Sequence, residues 1–235
     1  MKDFFSRHEH VALLFSGGKD SLACLELCQP FADQLVIVWV NTGKNLPEVE
    51  EFVREQGKRA FCFVEVRSGF AVQCFPTDVI VDDDTRVGKM FTTGEQVRVC
   101  SKYECCAKHI WRPIEAAMQA LDCTGFIKGQ REDDTHKAPW DTTFTVGGRA
   151  MEMLYPIRHW SAAKVYEFLE ARMELPEHLY LQHSSFDCWD CTAYWDALSD
   201  RLPYLEEHHP CKADVVKRRL NNIKRSVQER LSQIP

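Results

Sequence analysis

The apolar residues of this 235-residue chain form short runs that alternate with amphipathic stretches. The runs at 11–15 and 35–40 are apolar without interruption, which is typical of strands buried on both faces of a parallel sheet. Helical patterns follow each run, at 22–29 and 47–56, and a third strand is predicted at 60–66. This alternation predicts parallel β-α-β units.

The second half of the chain continues the pattern with shorter elements. A helix is predicted over 105–121, where Pro113 either kinks it or begins a second segment. A short strand is predicted at 124–128. The strand patterns at 142–146 and 149–154 flank a Gly-Gly pair, which predicts a hairpin.

The remaining stretches differ in how clearly they are patterned. Ser161 is a suitable N-cap for a further helix, and from residue 213 apolar residues recur at steps of three and four. Residues 67–99 show no such period. We interpret them as a long excursion, for which a substrate lid and a solvated loop are the two alternatives.

The composition is consistent with an α/β fold and excludes some classes of function. Hydrophobic residues make up 45% of the chain, and the net charge of −6 argues against a general polyanion binder. The longest apolar run is far shorter than the roughly 20 residues of a membrane helix, and residues 1–8 lack the apolar centre of a signal peptide. We expect a cytoplasmic protein with one α/β domain over 1–200 and a helical C-terminal appendage over 201–235.

The first predicted strand runs directly into the segment S-G-G-K-D-S at 16–21, which precedes a predicted helix. A strand, a glycine turn and a helix N-terminus form a site for anions, because backbone N–H groups and the helix dipole favour negative charge there. Gly17 and Gly18 permit a tight turn close to a phosphate, and Lys19 adds a point charge. The spacing differs from G-x-x-x-x-G-K-[ST], which excludes a Walker-type phosphate loop.

This segment resembles the PP-loop of the ATP pyrophosphatase superfamily, whose members cleave ATP between the α and β phosphates. The resemblance implies that the loop binds ATP with Mg²⁺, and that Lys19 and the backbone N–H groups hold the β and γ phosphates. Asp20 is then expected to organise the magnesium ion or the start of the helix, with Ser21 as a further donor. A Gly-Gly turn that binds no ligand is the alternative.

Two more polar segments are predicted at the same edge of the sheet, since Asn-Thr-Gly follows the second strand and Gly-Gln-Arg follows the fourth. Ligands of such sheets bind beyond the carboxyl ends of the strands. We expect Thr42 and Gly43 to line the adenosine and Gly129 to belong to the same site. Arg131 would reach the α phosphate or the substrate.

Eleven cysteines are many for a protein in a reducing compartment, where disulfides are rare. Cys105 and Cys106 are adjacent, and Cys188 and Cys191 form a C-x-x-C pair about eighty residues later. Four thiolates suit a 4Fe–4S cluster, a Cys₄ zinc site is the rival, and four ordinary thiols are the third alternative. Adjacent helical residues point in diverging directions, which favours a bulky cluster over one small ion.

The same spacing resembles the iron–sulfur sulfonucleotide reductases, which reduce adenylyl sulfates and include the reductases of phosphoadenosine phosphosulfate (PAPS). Other segments agree in order over about residues 11–195: N-T-G…P-E, C-C-A-K through P-I, G-Q-R, and L-Y-P-I…W. The resemblance implies a PP-loop, PAPS reductase-like fold whose 4Fe–4S cluster is bound by Cys105, Cys106, Cys188 and Cys191.

Two departures from that family indicate that the chain shares its fold but not its reaction. The reductases usually have a degenerate nucleotide loop, whereas S-G-G-K-D-S is intact here. They also end in a mobile E-C-G-x-H segment whose cysteine attacks sulfur, and the last cysteine here, Cys211, has a different context. Intact loops joined to a cluster occur in tRNA thiolases and DNA phosphorothioation proteins, which adenylate a substrate and insert sulfur.

We therefore expect ATP-dependent adenylation with release of pyrophosphate; the alternatives are a reductase that produces sulfite and a non-catalytic nucleotide-binding subunit. The expected catalytic residues are Lys19, Asp20, Ser21 and Arg131. The expected nucleotide-binding residues are Ser16, Gly17, Gly18, Lys19, Asp20, Ser21, Thr42, Gly43, Gly129 and Arg131. Four other cysteines in apolar contexts are expected to be packing residues: Cys24, Cys28, Cys62 and Cys123.

The C-terminal helix is predicted to contact a partner. Residues 212–230 contain seven lysines and arginines and two acidic residues, within a chain of net charge −6. Such a basic face suits the phosphates of nucleic acid, here tRNA or DNA, and a solvated helix face is the alternative. The apolar stripe of this helix would pack on the body of the protein or, in a homodimer, on a second subunit.

Overall fold

The computed structural model describes residues 1–68, 79–81, 98–100, 105–134, 142–181, 188–192 and 195–232. The chain divides into two compact units. The first unit contains residues 1–41, 45–67 and 113–180, and the second contains 42–44, 68–112 and 181–235. The excursion predicted at 67–99 falls mostly outside the described residues. The predicted boundary between 200 and 201 stays a prediction.

Eight strands lie in the described part of the chain: β1 Val11–Leu14, β2 Leu35–Asn41, β3 Cys62–Arg67, β4 Val79–Val81, β5 Arg98–Cys100, β6 Gly125–Ile127, β7 Thr143–Val146 and β8 Arg149–Leu154. Six of them form one sheet in the order β3-β2-β1-β6-β8-β7. All neighbours in this sheet pair in parallel except β7, which forms an antiparallel hairpin with β8. The predicted α/β fold with a parallel sheet is confirmed.

The described residues also form seven α-helices: α1 Lys2–Ser6, α2 Lys19–Cys28, α3 Pro47–Gly57, α4 Arg112–Ala120, α5 Ala162–Glu170, α6 Trp195–His208 and α7 Pro210–Leu231. Short 3₁₀ segments occupy Gln29–Gln34 and Glu177–Tyr180. The predicted cap of α5 is present, because the Ser161 hydroxyl accepts a hydrogen bond from the Lys164 N–H at 3.2 Å. No helix among these residues is long and apolar enough to cross a membrane.

The order of the strands positions the site. β2 and β3 lie on one side of β1, and β6 and β8 lie on the other, so the strand order reverses between β1 and β6. β1 and β2 are almost entirely buried, which explains their uninterrupted apolar sequence. Open α/β sheets bind ligands at such a reversal, beyond the carboxyl ends of the strands. Ser16 lies close behind β1, and Lys128 follows β6 directly.

The second unit contains the antiparallel pair β4 and β5 together with α6 and α7. It also contains the start of the segment predicted as one helix over 105–121. Residues 105–120 are helical without a break, with a π-helical turn at Ala107–Trp111 that continues into α4 at Arg112. The predicted helix is therefore present, and its irregularity lies directly before Pro113, which lacks the N–H that a regular α-helix uses.

Candidate functional site

The two glycines of the 16–21 turn have different roles. Gly17 has a φ of +82°, a left-handed conformation that glycine adopts without strain. A Cβ on Gly17 would also lie 2.6 Å from Cγ2 of Val53 in α3. Gly18 is the N-cap of α2, so the helix begins at Lys19, three residues earlier than its apolar pattern indicates. The turn therefore brings backbone N–H groups and a lysine to one helix N-terminus.

The two serine hydroxyls form hydrogen bonds with backbone groups inside this turn. The Ser21 hydroxyl donates to the Gly18 carbonyl at 2.9 Å and accepts from the Ser16 N–H at 3.3 Å. The Gly18 N–H in turn donates to the Ser16 hydroxyl at 3.3 Å. Ser21 is buried, whereas Ser16 is exposed. Ser21 thus holds the shape of the turn, and Ser16 is the hydroxyl that a ligand can reach.

Four charged side chains extend from the turn as a chain of ion pairs. The Lys19 ammonium lies 2.8 Å from Asp20 Oδ2, and its side chain is only 11% exposed. The other oxygen, Asp20 Oδ1, lies 2.9 Å from Nε of the buried Arg131. Nη2 of Arg131 lies 2.7 Å from Asp134 Oδ1. The two cations and the two carboxylates compensate each other in this arrangement.

The pairing of Asp20 bears on the predicted magnesium site. Both of its oxygens face a cation, Lys19 on one side and Arg131 on the other. A magnesium ligand needs an oxygen directed at the metal, so this arrangement does not fit a metal-binding role for Asp20. It fits the second predicted role, in which Asp20 organises the start of α2.

Gly129 lets the loop after β6 approach the turn at 16–21 closely. A Cβ on this residue would lie 2.8 Å from the Asp20 carbonyl and 3.0 Å from the Ser21 nitrogen. The loop is also fixed at its other end, because Asp134 Oδ2 accepts from the Arg131 N–H at 2.7 Å. The structure thus brings Gly129 and Arg131, both predicted from sequence, against the start of α2.

Lys128 is a charged residue of this region that sequence reasoning missed. Its backbone N–H donates to the Leu154 carbonyl at 3.0 Å, which joins the ends of β6 and β8. Burial lowers the pKa of its ammonium. Among the described residues no carboxylate oxygen lies within 4.0 Å of that ammonium. Its position at a strand end was the signal that could have drawn attention to it.

In the second unit, the C-x-x-C pair forms a tight turn around a buried arginine. The Cys191 N–H donates to the Cys188 carbonyl at 3.1 Å. Arg201 of α6 is 2% exposed, and its guanidinium donates to the carbonyls of both cysteines, at 3.4 Å for Cys188. Burial lowers the pKa of this guanidinium, while Cys191, Cys188 and Asp190 oppose that shift. A buried positive charge therefore stands directly behind the two thiols.

The residues between these cysteines are held by two other segments of the same unit. Asp190 Oδ2 lies 3.0 Å from the Lys44 ammonium and 3.1 Å from Nη1 of Arg219 in α7. The Trp189 N–H donates to the Lys44 carbonyl at 2.9 Å. The ammonium groups of Lys44 and Lys212 lie 5.6 Å and 5.7 Å from the centre of the Trp189 ring.

Thr42 and Gly43 belong to this second unit. Thr42 is 1% exposed, and its hydroxyl oxygen lies 3.7 Å from the Cys188 sulfur, which can donate to it. Gly43 is exposed with a φ of +72°. The structure brings Thr42 together with a predicted metal ligand, a neighbour that sequence did not indicate. The role of both residues at the adenosine stays a prediction.

Cys105 and Cys106 are partly exposed and belong to the same unit as Cys188 and Cys191. They directly precede the π-helical turn, a type of irregularity found frequently at functional sites. None of the four cysteines is in a disulfide. Cysteine thiolates are the ligands that an iron–sulfur cluster takes, and the binding of a cluster by these four residues stays a prediction.

Other cysteines behave as packing residues. Cys24, Cys28 and Cys123 are buried, as expected, whereas Cys62 is only partly buried. Burial raises the pKa of Cys28 to about 12 and that of Cys123 to about 11. These thiols are therefore protonated at neutral pH and are poor nucleophiles.

The basic helix α7 is not uniformly exposed to solvent. Its apolar residues Val216 and Ile223 are buried, and the helix packs on α6 and β4 of its own unit. Lys217 pairs with Glu206 at 2.6 Å, and Arg219 is engaged with Asp190. The apolar stripe thus packs on the protein itself. The exposed basic side chains include Arg218, Lys224 and Arg225.

Comparison with known proteins identifies relatives of this chain. The model of the phosphoadenosine phosphosulfate reductase domain matches residues 10–194. A solved structure of phosphoadenylyl-sulfate (PAPS) reductase from Candida auris, in complex with phosphate, is similar with a TM-score of 0.51 and 14% identity, over 78% of this chain and 83% of that chain.

A predicted subunit of tRNA methyltransferase from Methanocaldococcus jannaschii aligns with a TM-score of 0.44 and 13% identity, over 84% of this chain and 87% of that chain. No curated protein matches this sequence significantly. At these identities the likeness to the Candida auris structure concerns the fold alone.

Proposed function

Because the chain belongs to the phosphoadenosine phosphosulfate reductase domain family, we propose that it is an enzyme that binds ATP at the 16–21 turn and adenylates an acceptor. The observation that carries this proposal is the turn itself. Lys19 is held at the N-terminus of α2, directly behind two glycines, and the N-cap Gly18 has no side chain that could cap the first N–H groups of the helix. This arrangement suits the β and γ phosphates of ATP.

The proposed reaction breaks the bond between the α phosphorus and the oxygen that bridges to the β phosphorus. An acceptor oxygen attacks the α phosphorus and loses its proton to solvent, and pyrophosphate leaves with the bridging oxygen. Reactions of this kind depend mainly on positioning and on charge neutralisation. Lys19 and the N–H groups of the turn would stabilise the charge that develops on the leaving pyrophosphate.

The other predicted residues would position these groups. Asp20 holds Lys19 and Arg131, and Ser21 closes the turn from inside. The contact of Arg131 with the α phosphate would require its guanidinium to turn away from Asp20 or Asp134. Thr42 and Gly43 are proposed to line the adenosine. ATP would enter as its magnesium complex, without a metal ligand from Asp20.

Cys105, Cys106, Cys188 and Cys191 would hold a 4Fe–4S cluster, which supplies a site for sulfide or a brace for the fold. Four cysteine ligands leave no open iron, which favours the brace. Arg201 and the carbonyls that it contacts keep Cys188 and Cys191 on one turn. The positive charge of Arg201 would offset the negative charge of the thiolates. Anaerobic purification followed by iron and sulfide analysis tests this part, and zinc in place of iron would contradict it.

The proposed acceptor is an anionic macromolecule of the nucleic acid class, tRNA or DNA. Arg218, Lys224 and Arg225 project from α7 as exposed cations on a chain that is acidic overall. Substitution of all three by glutamine should weaken tRNA or DNA binding at low salt and reduce its salt dependence. Unchanged binding, or none by the unaltered protein, would contradict this acceptor.

A second candidate function is the reduction of an adenylyl sulfate, favoured by the exposed thiol of Cys211 at the start of α7. A thiolate would attack the sulfur, the S–O bond to the nucleotide would break, and the nucleotide would leave. A second thiol would then release sulfite and leave a disulfide.

A parallel assay separates the two reactions. The anaerobic protein is incubated with ATP and candidate acceptors, or with an adenylyl sulfate and a thiol, and both pyrophosphate and sulfite are measured. We expect pyrophosphate from ATP, with turnover reduced about a hundredfold or more by Lys19→Met. Lys2→Met, which removes an exposed charge on α1, is the matched control. Sulfite without pyrophosphate under every acceptor tried would reverse the assignment.

A further inference from the structure

The cations at the carboxyl edge of the sheet differ in how their charge is compensated. Lys19, Arg131 and Arg158 each lie within 3.2 Å of a carboxylate oxygen. Lys128, directly after β6, has no carboxylate partner among the residues that the structure describes. A partly buried ammonium without a counter-ion is unfavourable, since burial penalises its charged form.

The backbone fixes Lys128 at the place where the strand order reverses. Lys128 extends β6 by one residue, beside the end of β8. The next residue, Gly129, is in close contact with the backbone of Asp20 and Ser21. The backbone at Lys128 thus lies next to the turn at 16–21 through Gly129, and it joins the ends of β6 and β8 through its own hydrogen bond.

From this juxtaposition we infer that Lys128 binds the phosphate attached to the adenosine of the bound nucleotide. Lys19 and the N–H groups of the turn serve the outer phosphates, and the guanidinium of Arg131 is already engaged by two carboxylates. The inner phosphate therefore needs a cation from elsewhere, and the uncompensated ammonium of Lys128 needs an anion. The inference rests on the proposed nucleotide site, but not on which reaction follows binding.

Calorimetry with AMP and with pyrophosphate tests whether Lys128 binds the inner phosphate and Lys19 the outer phosphates. Lys128→Met keeps the length of the side chain and removes its charge. It should weaken AMP binding about tenfold or more, as expected for the loss of a charge-assisted hydrogen bond, and leave pyrophosphate binding unchanged. Lys19→Met should show the opposite pattern. Lys128→Arg, which keeps the charge, should retain most of the AMP affinity.

A thermal melt of each ligand-free variant distinguishes binding from a structural role. Lys128→Met should melt no lower than the unaltered protein, because it removes a buried charge that has no described partner. A lower melting temperature together with unchanged AMP affinity would overturn the inference, and so would a loss confined to pyrophosphate or absent AMP binding by the unaltered protein. A protein that binds AMP through Lys128 but releases no pyrophosphate from ATP would overturn only the proposed reaction.

Discussion

Two buried arginines, one in each unit of this protein, differ in the groups that compensate their charge. In the first unit Arg131, 6% exposed, contacts the carboxylates of Asp20 and Asp134. In the second unit Arg201, 2% exposed, contacts the carbonyl oxygens of the two C-x-x-C cysteines. Among the described residues, no carboxylate lies within ion-pair distance of Arg201.

The difference indicates what each arginine can do. Arg131 is compensated by two carboxylates, so in this arrangement it fixes the geometry of the turn at 16–21. Arg201 donates from its two terminal nitrogens to backbone carbonyls, while its buried Nε has no hydrogen-bond partner among the described residues. Its positive charge therefore lies in a buried place without a carboxylate beside it. Burial of an uncompensated charge is unfavourable, and an anionic set of thiolates beside it would offset that cost.

The largest effect is expected when Arg201 is removed. Arg201→Met should lower the free energy of unfolding by about 3 kcal/mol, because two charge-assisted hydrogen bonds to backbone carbonyls are lost. With the proposed cluster bound, the same variant should also lose the visible absorbance that the cluster gives to the anaerobic protein. Denaturant unfolding checks the first expectation and visible absorbance the second. Arg218→Met, on the exposed side of α7, is the control and should change neither the stability nor the absorbance. Equal effects of Arg201→Met and Arg218→Met would contradict a special role for the buried arginine.

A somewhat smaller effect is expected at Arg131. Arg131→Met should cost about 2 kcal/mol, because it leaves the carboxylates of Asp20 and Asp134 without their shared cation. Asp134→Asn in the same background should recover part of that loss, with a coupling of about 1 kcal/mol in a double-mutant cycle. Strict additivity of the two substitutions would mean that the ion pair contributes nothing to the turn.

Two glycine substitutions sharpen the comparison by separating packing from backbone strain. Gly129→Ala places a Cβ 2.8 Å from the Asp20 backbone and should cost about 1–2 kcal/mol while also weakening nucleotide binding. Gly148→Ala meets nothing within 4 Å but has a φ of +82°, so it should cost about 1 kcal/mol through strain alone. Equal nucleotide affinity of the two variants would contradict the close approach of the β6 loop to the turn.

The smallest expected effect is a difference in thiol reactivity between the two units, which is measured on the unaltered protein. Cys211 of α7 is exposed, whereas burial raises the pKa of Cys28 in α2 to about 12. Iodoacetamide at pH 8 should therefore label Cys211 rapidly and Cys28 only after unfolding. Peptide mapping by mass spectrometry gives the order. Early labelling of Cys28 would show that the core of the first unit opens readily.

The sequence was most informative where structure depends on local pattern. β1, the glycine turn and α2 follow from an apolar run, two glycines and an amphipathic segment, and only the start of α2 was misplaced. That start depends on Gly18 as the N-cap, which apolar periodicity does not register. The π-helical turn at 107–111 was not predictable, because its sequence does not differ from that of an ordinary helix.

The site was less predictable than the fold, because its contacts join residues far apart in the chain. An arginine such as Arg201 in an amphipathic helix usually faces solvent, and only the packing of α6 against the C-x-x-C turn buries it. Sequence placed Arg131 at a strand end but could not show that Asp20 and Asp134 engage it. The contact between Thr42 and Cys188 likewise had no local signal.

The central claim is that the turn at 16–21 holds the outer phosphates of ATP, and calorimetric comparison of ATP with AMP tests it without knowledge of the acceptor. If Lys19 and the N–H groups of the turn contact the β and γ phosphates, ATP should bind at least about tenfold more tightly than AMP. Lys19→Met should remove most of that difference. Equal affinities for ATP and AMP, or an adenylyl sulfate that binds more tightly than ATP, would contradict the claim.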